Sequence, residues 1–135
     1  MIYLDSAAIV KLVHREAESD ALDLWLAERL GQSRVTSALA EVEVPRAILR
    51  HAPSSQQRIP AVLGTIARFE IDAAVRGLAA SYTDAALRSL DAIHLATAQV
   101  LAVELGDSPV TFVTYDKRLL TAAGTAGLAI ASPGA

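Results

Sequence analysis

The sequence predicts an α/β fold, a three-layer α/β/α sandwich around a central parallel sheet. Five short apolar runs have the length of buried strands, and longer segments of helical character separate them. Alternation of this kind implies parallel strands joined by helical crossovers, with helices covering both faces of the sheet.

In chain order, Ile2–Asp5 is the first strand candidate and Ser6–His14 the first helix. A second helix covers Ser19–Leu30, where Leu22, Trp25, Leu26 and Arg29 share an amphipathic face. Arg34–Thr36 is the second strand. Ala38–Arg50 is the third helix, in which Pro45 requires either a kink or a later start. Pro53 and Pro60 then punctuate the chain, and a helix is expected over Gln56–Ala67. Phe69–Ile71 is the third strand and Ala73–Ala80 the next helix. Asp91–Leu105 places Ala92, Leu95, Ala96, Gln99, Val100 and Val103 at helical spacing. Val110–Thr114, a helix over Lys117–Ala123 and the strand Leu128–Ala131 complete the pattern. The uncharged stretch from Leu119 to Ala135 contains three glycines and a proline and falls short of a bilayer span. It reads as a buried helix, a turn and a short strand.

A length of 135 residues suits one domain over 1–135, and 53% hydrophobic content is enough to build a core. The chain has no cysteine, which excludes disulfides, zinc–thiolate sites, Fe–S clusters and a cysteine nucleophile. Such a chain suits a reducing cytosol. The opening Met1-Ile2-Tyr3-Leu4-Asp5 has no basic segment and meets a carboxylate at once, so no secretory signal is expected. A cytoplasmic protein with no membrane association is the expectation. A net charge of −3 argues against a protein that coats nucleic acid by bulk charge. It leaves open a site that meets phosphate through bound cations, because these invert the sign of an acidic pocket.

Ligands of open parallel sheets bind outside the carboxyl ends of the strands. Asp5 ends the first strand, and Asp116 lies two residues past Val110–Thr114. Asp91 opens a helix, and Glu43 lies early in the helix after the second strand. All four are therefore expected at one rim. Carboxylates gathered in this way repel one another unless they are neutralised. Oxygen ligands without His or Cys select Mg²⁺ or Mn²⁺ over zinc. Such ions stabilise the charge that builds on a phosphodiester and ionise an attacking water.

Plainer readings stand beside these. Asp5 and Ser6 both suit a helix cap. Asp91 is also a favoured helix-start residue, and Asp116 in Tyr115-Asp116-Lys117 suits a turn or cap. Glu41 and Glu43 point about 200° apart on a helix, so only one can face the site. Glu43 shares a face with Arg46 and Arg50, which suits metal beside phosphate or an ordinary solvated face. His94, one turn after Asp91, reads as a satisfied structural histidine and stays outside the catalytic set. No P-loop, Gly-x-Gly-x-x-Gly, nucleophile elbow or His-Glu-x-x-His is present.

At these residues the sequence resembles the PIN-domain ribonucleases, in particular the VapC toxins of VapBC toxin–antitoxin pairs. The resemblance covers nearly the whole chain. Ile2-Tyr3-Leu4-Asp5-Ser6-Ala7-Ala8 matches the family start, with its first acidic ligand at Asp5. The stretch from Thr36 to Ala47 matches the second motif and puts the family glutamate at Glu43 rather than Glu41. Leu87-Arg88-Ser89-Leu90-Asp91-Ala92-Ile93-His94-Leu95-Ala96-Thr97-Ala98 is the most specific block, with the third ligand at Asp91. Phe112-Val113-Thr114-Tyr115-Asp116-Lys117-Arg118-Leu119 matches the fourth motif, with Asp116 as ligand and Thr114 at the pocket edge.

The resemblance implies a PIN-like α/β/α sandwich and an Mg²⁺- or Mn²⁺-dependent endoribonuclease that is the toxin of a type II pair. It also implies a homodimer and a VapB-type antitoxin that occludes the site. Asp5, Glu43, Asp91 and Asp116 are the expected catalytic and metal-binding residues. Ser6, Thr114, Arg46, Arg88 and Lys117 are expected at the site edge or on the RNA backbone. The segment from His51 to Ser81 matches only loosely. The main rival is a non-catalytic RNA- or protein-binding module on the same fold. A phospho-acceptor signalling domain fits less well, since Asp5 is followed by Ser6 and Ala7 rather than by a second acid.

Overall fold

The computed structural model describes residues 1–106 and 109–135. Five strands form one sheet: β1 (Ile2–Leu4), β2 (Arg34–Ser37), β3 (Ala67–Phe69), β4 (Thr111–Val113) and β5 (Ala129–Ala131). Their order is β3-β2-β1-β4-β5 and every pairing is parallel. The helices are α1 (Ser6–Val13), α2 (Ser19–Ala27), α3 (Ala40–His51), α4 (Ile59–Leu63), α5 (Ala73–Ser81), α6 (Ser89–Glu104) and α7 (Lys117–Thr125).

Alternation along the strands divides the core into two layers. Ile2, Leu4 and Val113 pack with Ala8, Ile9 and Val13 of α1, Leu22 and Leu26 of α2 and Val44 and Ile48 of α3. Tyr3, Val35 and Phe112 turn to the other face and pack with Leu95, Ala98 and Leu101 of α6 and Leu119 and Ala123 of α7. Central β1 is fully buried because both its faces are covered. The α/β/α sandwich predicted from the sequence is the architecture observed.

Several boundaries differ from expectation for identifiable reasons. The third strand is Ala67–Phe69, not Phe69–Ile71. It is an edge strand whose Ala67 and Arg68 are exposed, so its position carries no apolar signal. Glu70 and Ile71 lead instead to Asp72, which caps α5 by accepting from Val75 N–H at 2.9 Å. The helix expected over Gln56–Ala67 is a 3₁₀ segment, Pro53–Arg58, followed by α4 with Pro60 in its first turn, where a missing N–H costs little. The second helix stops at Ala27 rather than Leu30. The third begins at Ala40 and runs through Pro45, which settles the choice in favour of the later start.

The tail folds as the glycines suggest. Gly127, at φ 89°, follows α7, and its N–H donates to Gly124 O at 3.0 Å while Leu128 N–H donates to Ala123 O at 3.1 Å. This is a Schellman cap, which turns the chain into β5.

Strand order reverses between β1 and β4. β2 and β3 lie to one side of β1, and β4 and β5 lie to the other. A crevice opens at the carboxyl ends of such a pair because the following connections leave in opposite directions. Asp5 follows β1 at that point, and Asp116 follows β4. Among the described residues, no helix is long and apolar enough to cross a membrane.

Candidate active site

Asp5 and Asp116 are both helix N-caps. Asp5 Oδ1 accepts from Ala8 N–H at 2.8 Å at the start of α1. Asp116 Oδ1 accepts from Arg118 and Leu119 N–H at 2.8 and 3.1 Å at the start of α7. The cap reading of each is therefore correct, yet each cap uses one oxygen only. Asp5 Oδ2 accepts from Thr114 Oγ1 at 2.5 Å, and the same threonine oxygen accepts Asp116 N–H at 3.1 Å. Thr114, fully buried just after β4, thus ties the two caps together.

The second group is Ser6, Glu43 and His94. Ser6 is not the cap. It sits inside the first turn of α1, and its Oγ donates to Glu43 Oε1 at 2.7 Å. His94 Nε2 lies 2.7 Å from the same Glu43 oxygen and 3.1 Å from Ser6 Oγ. Tyr3 OH lies 2.7 Å from His94 Nδ1. Burial raises the Glu43 carboxyl, but the hydrogen bonds from His94 and Ser6 outweigh it and leave the group below its usual range. An ionised Glu43 only accepts, so His94 Nε2 carries a proton and donates it. Burial pushes the Tyr3 phenol far above its ordinary value, so it keeps its own proton beside His94 Nδ1. Tyr3 also stacks on Phe112 with ring centroids 5.1 Å apart, which fixes the phenol.

Asp91 lies in the first turn of α6 and connects the two groups electrostatically. Burial raises its carboxyl, and Asp116 and Glu43 raise it further against the opposing pull of His94 and Arg88. Asp5 is also raised, chiefly by burial and further by Asp91, against its Thr114 hydrogen bond and His94. Among the described residues the Asp91 carboxylate accepts no hydrogen bond, nor do Asp116 Oδ2 and Glu43 Oε2.

Asp91, Asp116, Arg88, Lys117 and Arg118 line one cleft of about 500 Å³. Arg88, Lys117 and Arg118 form no ion pair among the described residues. Their charges are available to an anion beside two carboxylates. Arg46 is exposed and does not line this cleft, one helical turn further along α3 than Glu43. Glu41 turns away and pairs with Arg68 Nε at 2.7 Å, leaving Glu43 as the inward-facing glutamate.

The donor set suits a hard divalent cation. It consists of carboxylate oxygens, two of the groups resist ionisation, and three of the four carboxylates hold oxygens without a hydrogen-bond donor among the described residues. Among the described residues, however, no three acidic or imidazole groups are close enough to form a ready-made cage.

The PIN-domain family model matches residues 2–124 of this chain. The chain belongs to the PIN-domain family. It is 51% identical over 135 residues to Ribonuclease VapC35 of Mycobacterium tuberculosis, covering 99% of this chain and 98% of that protein. Identity to Ribonuclease VapC46 of the same species is 47% over 132 residues, covering 98% and 97%. Identity to its Ribonuclease VapC47 is 41% over 138 residues, covering 100% and 98%. The VapC type of PIN domain read from the four motifs is the type these relatives carry.

His94 is the residue that sequence reasoning set aside. It is a satisfied, buried histidine, as expected, but its partner is Glu43. The available signal was its position three residues after Asp91, which puts both on one helical face. Arg118 also lines the cleft, beyond the cations expected from the sequence.

Proposed function

We propose that this chain is a divalent-metal-dependent endoribonuclease and the toxin of a type II toxin–antitoxin pair. The observation that carries this reading is the cleft lined by Asp91 and Asp116, with Asp5 and Glu43 coupled to Asp91, beside Arg88, Lys117 and Arg118, which form no ion pair among the described residues. The names of the VapC relatives support the substrate class.

Asp5, Glu43, Asp91 and Asp116 would hold Mg²⁺ or Mn²⁺. When bound, the cation neutralises charge on the scissile phosphate and acidifies water for attack. Each of the chain's own groups has a part to play. Arg88 and Lys117 bind the flanking phosphates. Thr114 and the α1 amide of Ala8 fix both oxygens of Asp5. Ser6 and His94 fix Oε1 of Glu43 and leave Oε2 for the site. The α7 amides fix Asp116, and their positive helix end adds to the attraction for anions.

The toxin assignment includes a VapB-type antitoxin and a homodimer. Exposed apolar side chains support partner surfaces. Val42 and Leu49 are 62% and 52% exposed on α3, and seven residues apart they share a face. A cytoplasmic location accords with a cysteine-free chain acting on RNA.

One observation favours the rival binding module: among the described residues, no three acidic or imidazole groups are placed to hold a metal ion. The test is cleavage of total RNA with Mg²⁺ or Mn²⁺ and with EDTA, beside Asp91→Asn. Discrete fragments that need both metal and Asp91 support the nuclease. Intact RNA with folded, metal-supplied, partner-free protein rejects it and favours the module.

A further inference from the structure

A groove of about 670 Å³ runs between the segment Tyr82–Leu87, helix α6 and helix α7. It adjoins the carboxylate cleft, with Ala86, Leu87, Lys117 and Arg118 lining both. Its inner wall is apolar, built on Leu95 and Ala122, with Tyr82 at one side. The Tyr82 hydroxyl donates to Gln99 Oε1, and Gln99 Nε2 donates to Ala126 O at 3.3 Å, so the phenol and the amide hold one another in place. Burial pushes the Tyr82 phenol up to about 12, so the ring remains neutral at physiological pH.

From this geometry we infer that the groove is a base-binding subsite for a nucleotide of the RNA strand that flanks the bond to be cut. The inference rests on the nuclease reading for the identity of the strand. A flat π-face needs apolar walls or an aromatic partner, and Leu95, Ala122 and Tyr82 provide them. The strand's phosphates need cations at the mouth, and Lys117 and Arg118 stand there without carboxylate partners among the described residues. One carboxylate, Asp84, also lines the groove, but its Oδ1 accepts Ala86 N–H at 2.9 Å. Hydroxyls of Thr83 and Thr125 add hydrogen-bonding edges of both signs, and Thr121, whose hydroxyl donates to Lys117 O at 3.0 Å, adds an acceptor, which suits a nucleobase better than a purely apolar peptide side chain. Continuity between groove and cleft lets one strand place a phosphate beside Asp91 and Asp116 while its neighbouring base enters the groove. The groove thereby becomes a determinant of which sequence is cut.

The test uses fluorescence anisotropy with a labelled mixed-sequence twelve-nucleotide RNA and a matching abasic ribose–phosphate strand, in EDTA so that neither is cut. The parent chain should bind the RNA at least about fivefold more tightly than the abasic strand, the lower end of what stacking one base contributes. Thr125→Trp fills the groove from an exposed position on α7 and should erase that preference while leaving abasic affinity unchanged. Tyr82→Leu should reduce it in part. Equal affinity of the parent for both strands, or a preference that survives Thr125→Trp, overturns the inference. Loss of self-association in Thr125→Trp with base preference intact makes the groove an interface between copies instead. Total-RNA cleavage by the parent chain, run in parallel with Mg²⁺, tests the nuclease reading separately. Cleavage with undiminished preference in Thr125→Trp removes only the groove, and base preference without cleavage removes only the nuclease.

Discussion

His94 Nε2 and Glu43 Oε1 lie 2.7 Å apart and join α6 to α3, helices that pack on opposite faces of the sheet. The bond passes over the carboxyl edge of the strands, where the other acids gather. It gives a buried histidine a positioning task. His94→Ala should lower kcat by roughly 10–100-fold, as removal of supporting partners around metal ligands commonly does, with little change in KM for RNA. His94→Gln keeps a donor on the same helix and should recover part of the loss. Single-turnover cleavage against RNA concentration separates the two constants. An equal loss in the alanine and glutamine variants would reduce His94 to packing.

The two carboxylate oxygens of Asp116 differ, and substitution can divide a cap from a proposed ligand. Its Oδ1 caps α7, and its Oδ2 accepts no hydrogen bond among the described residues. Asp116→Asn retains a good cap and should keep stability while losing most cleavage. Asp116→Ala should lose cleavage and also about 0.5–2 kcal/mol of stability. Urea unfolding of both variants alongside RNA cleavage checks this. Full cleavage by Asp116→Asn would leave the residue as a cap alone.

Asp5 and Asp91 carry carboxyls raised above their ordinary range. In the unfolded chain they ionise at lower pH, so the folded state binds more protons across the interval between the two values. Their contribution to stability is full below the unfolded value and is lost as pH rises through the raised folded one. Metal-free protein should therefore gain stability relative to Asp5→Asn as pH falls from neutral into the mildly acidic range. At pH 7 the Asp5→Asn variant should melt higher by about 3–5 °C for each kcal/mol of repulsion relieved in a chain of this size. Scanning calorimetry in EDTA from pH 5 to pH 8 measures it. A variant that melts no higher than the parent at pH 7 would mean that the buried carboxylate is fully compensated.

The legible parts of this protein were those written in local order. β1 announces itself through three fully buried residues, and Asp5 and Asp116 through their places just after strands and just before helices. Edge strand β3 is not legible at its true position because Arg68 faces solvent and pairs with Glu41, so burial leaves no trace there. The His94 network was illegible because its partners lie 51 and 91 positions away. Only the strand order brings Tyr3, Glu43 and His94 together. Arg46 is the opposite case, a shared helix face that does not bring a residue to the cleft. It shares a helix face with Glu43, but α3 starts at the carboxyl edge, and each turn carries the chain about 5.4 Å along the helix from that start.

That placement yields a test on the cations. Arg88 and Lys117 line the carboxylate cleft, whereas Arg46 does not. If the two basic residues neutralise phosphates of a single strand, each releases counterions on binding, and each substitution should flatten the dependence of log affinity on log salt by about 0.7. Arg88→Gln and Lys117→Gln should show that change when anisotropy of a labelled RNA is followed from 50 to 300 mM salt. Arg46→Gln should shift it less than either. Arg88→Gln has a second consequence, because Arg88 opposes the rise of the Asp91 carboxyl. Losing that guanidinium should make Asp91 harder to ionise, so cleavage by this variant should fall off at a higher pH than in the parent. Lys117→Gln serves as the control for lost phosphate binding alone. An Arg46→Gln slope change as large as the other two would instead place α3 on the path of the RNA strand.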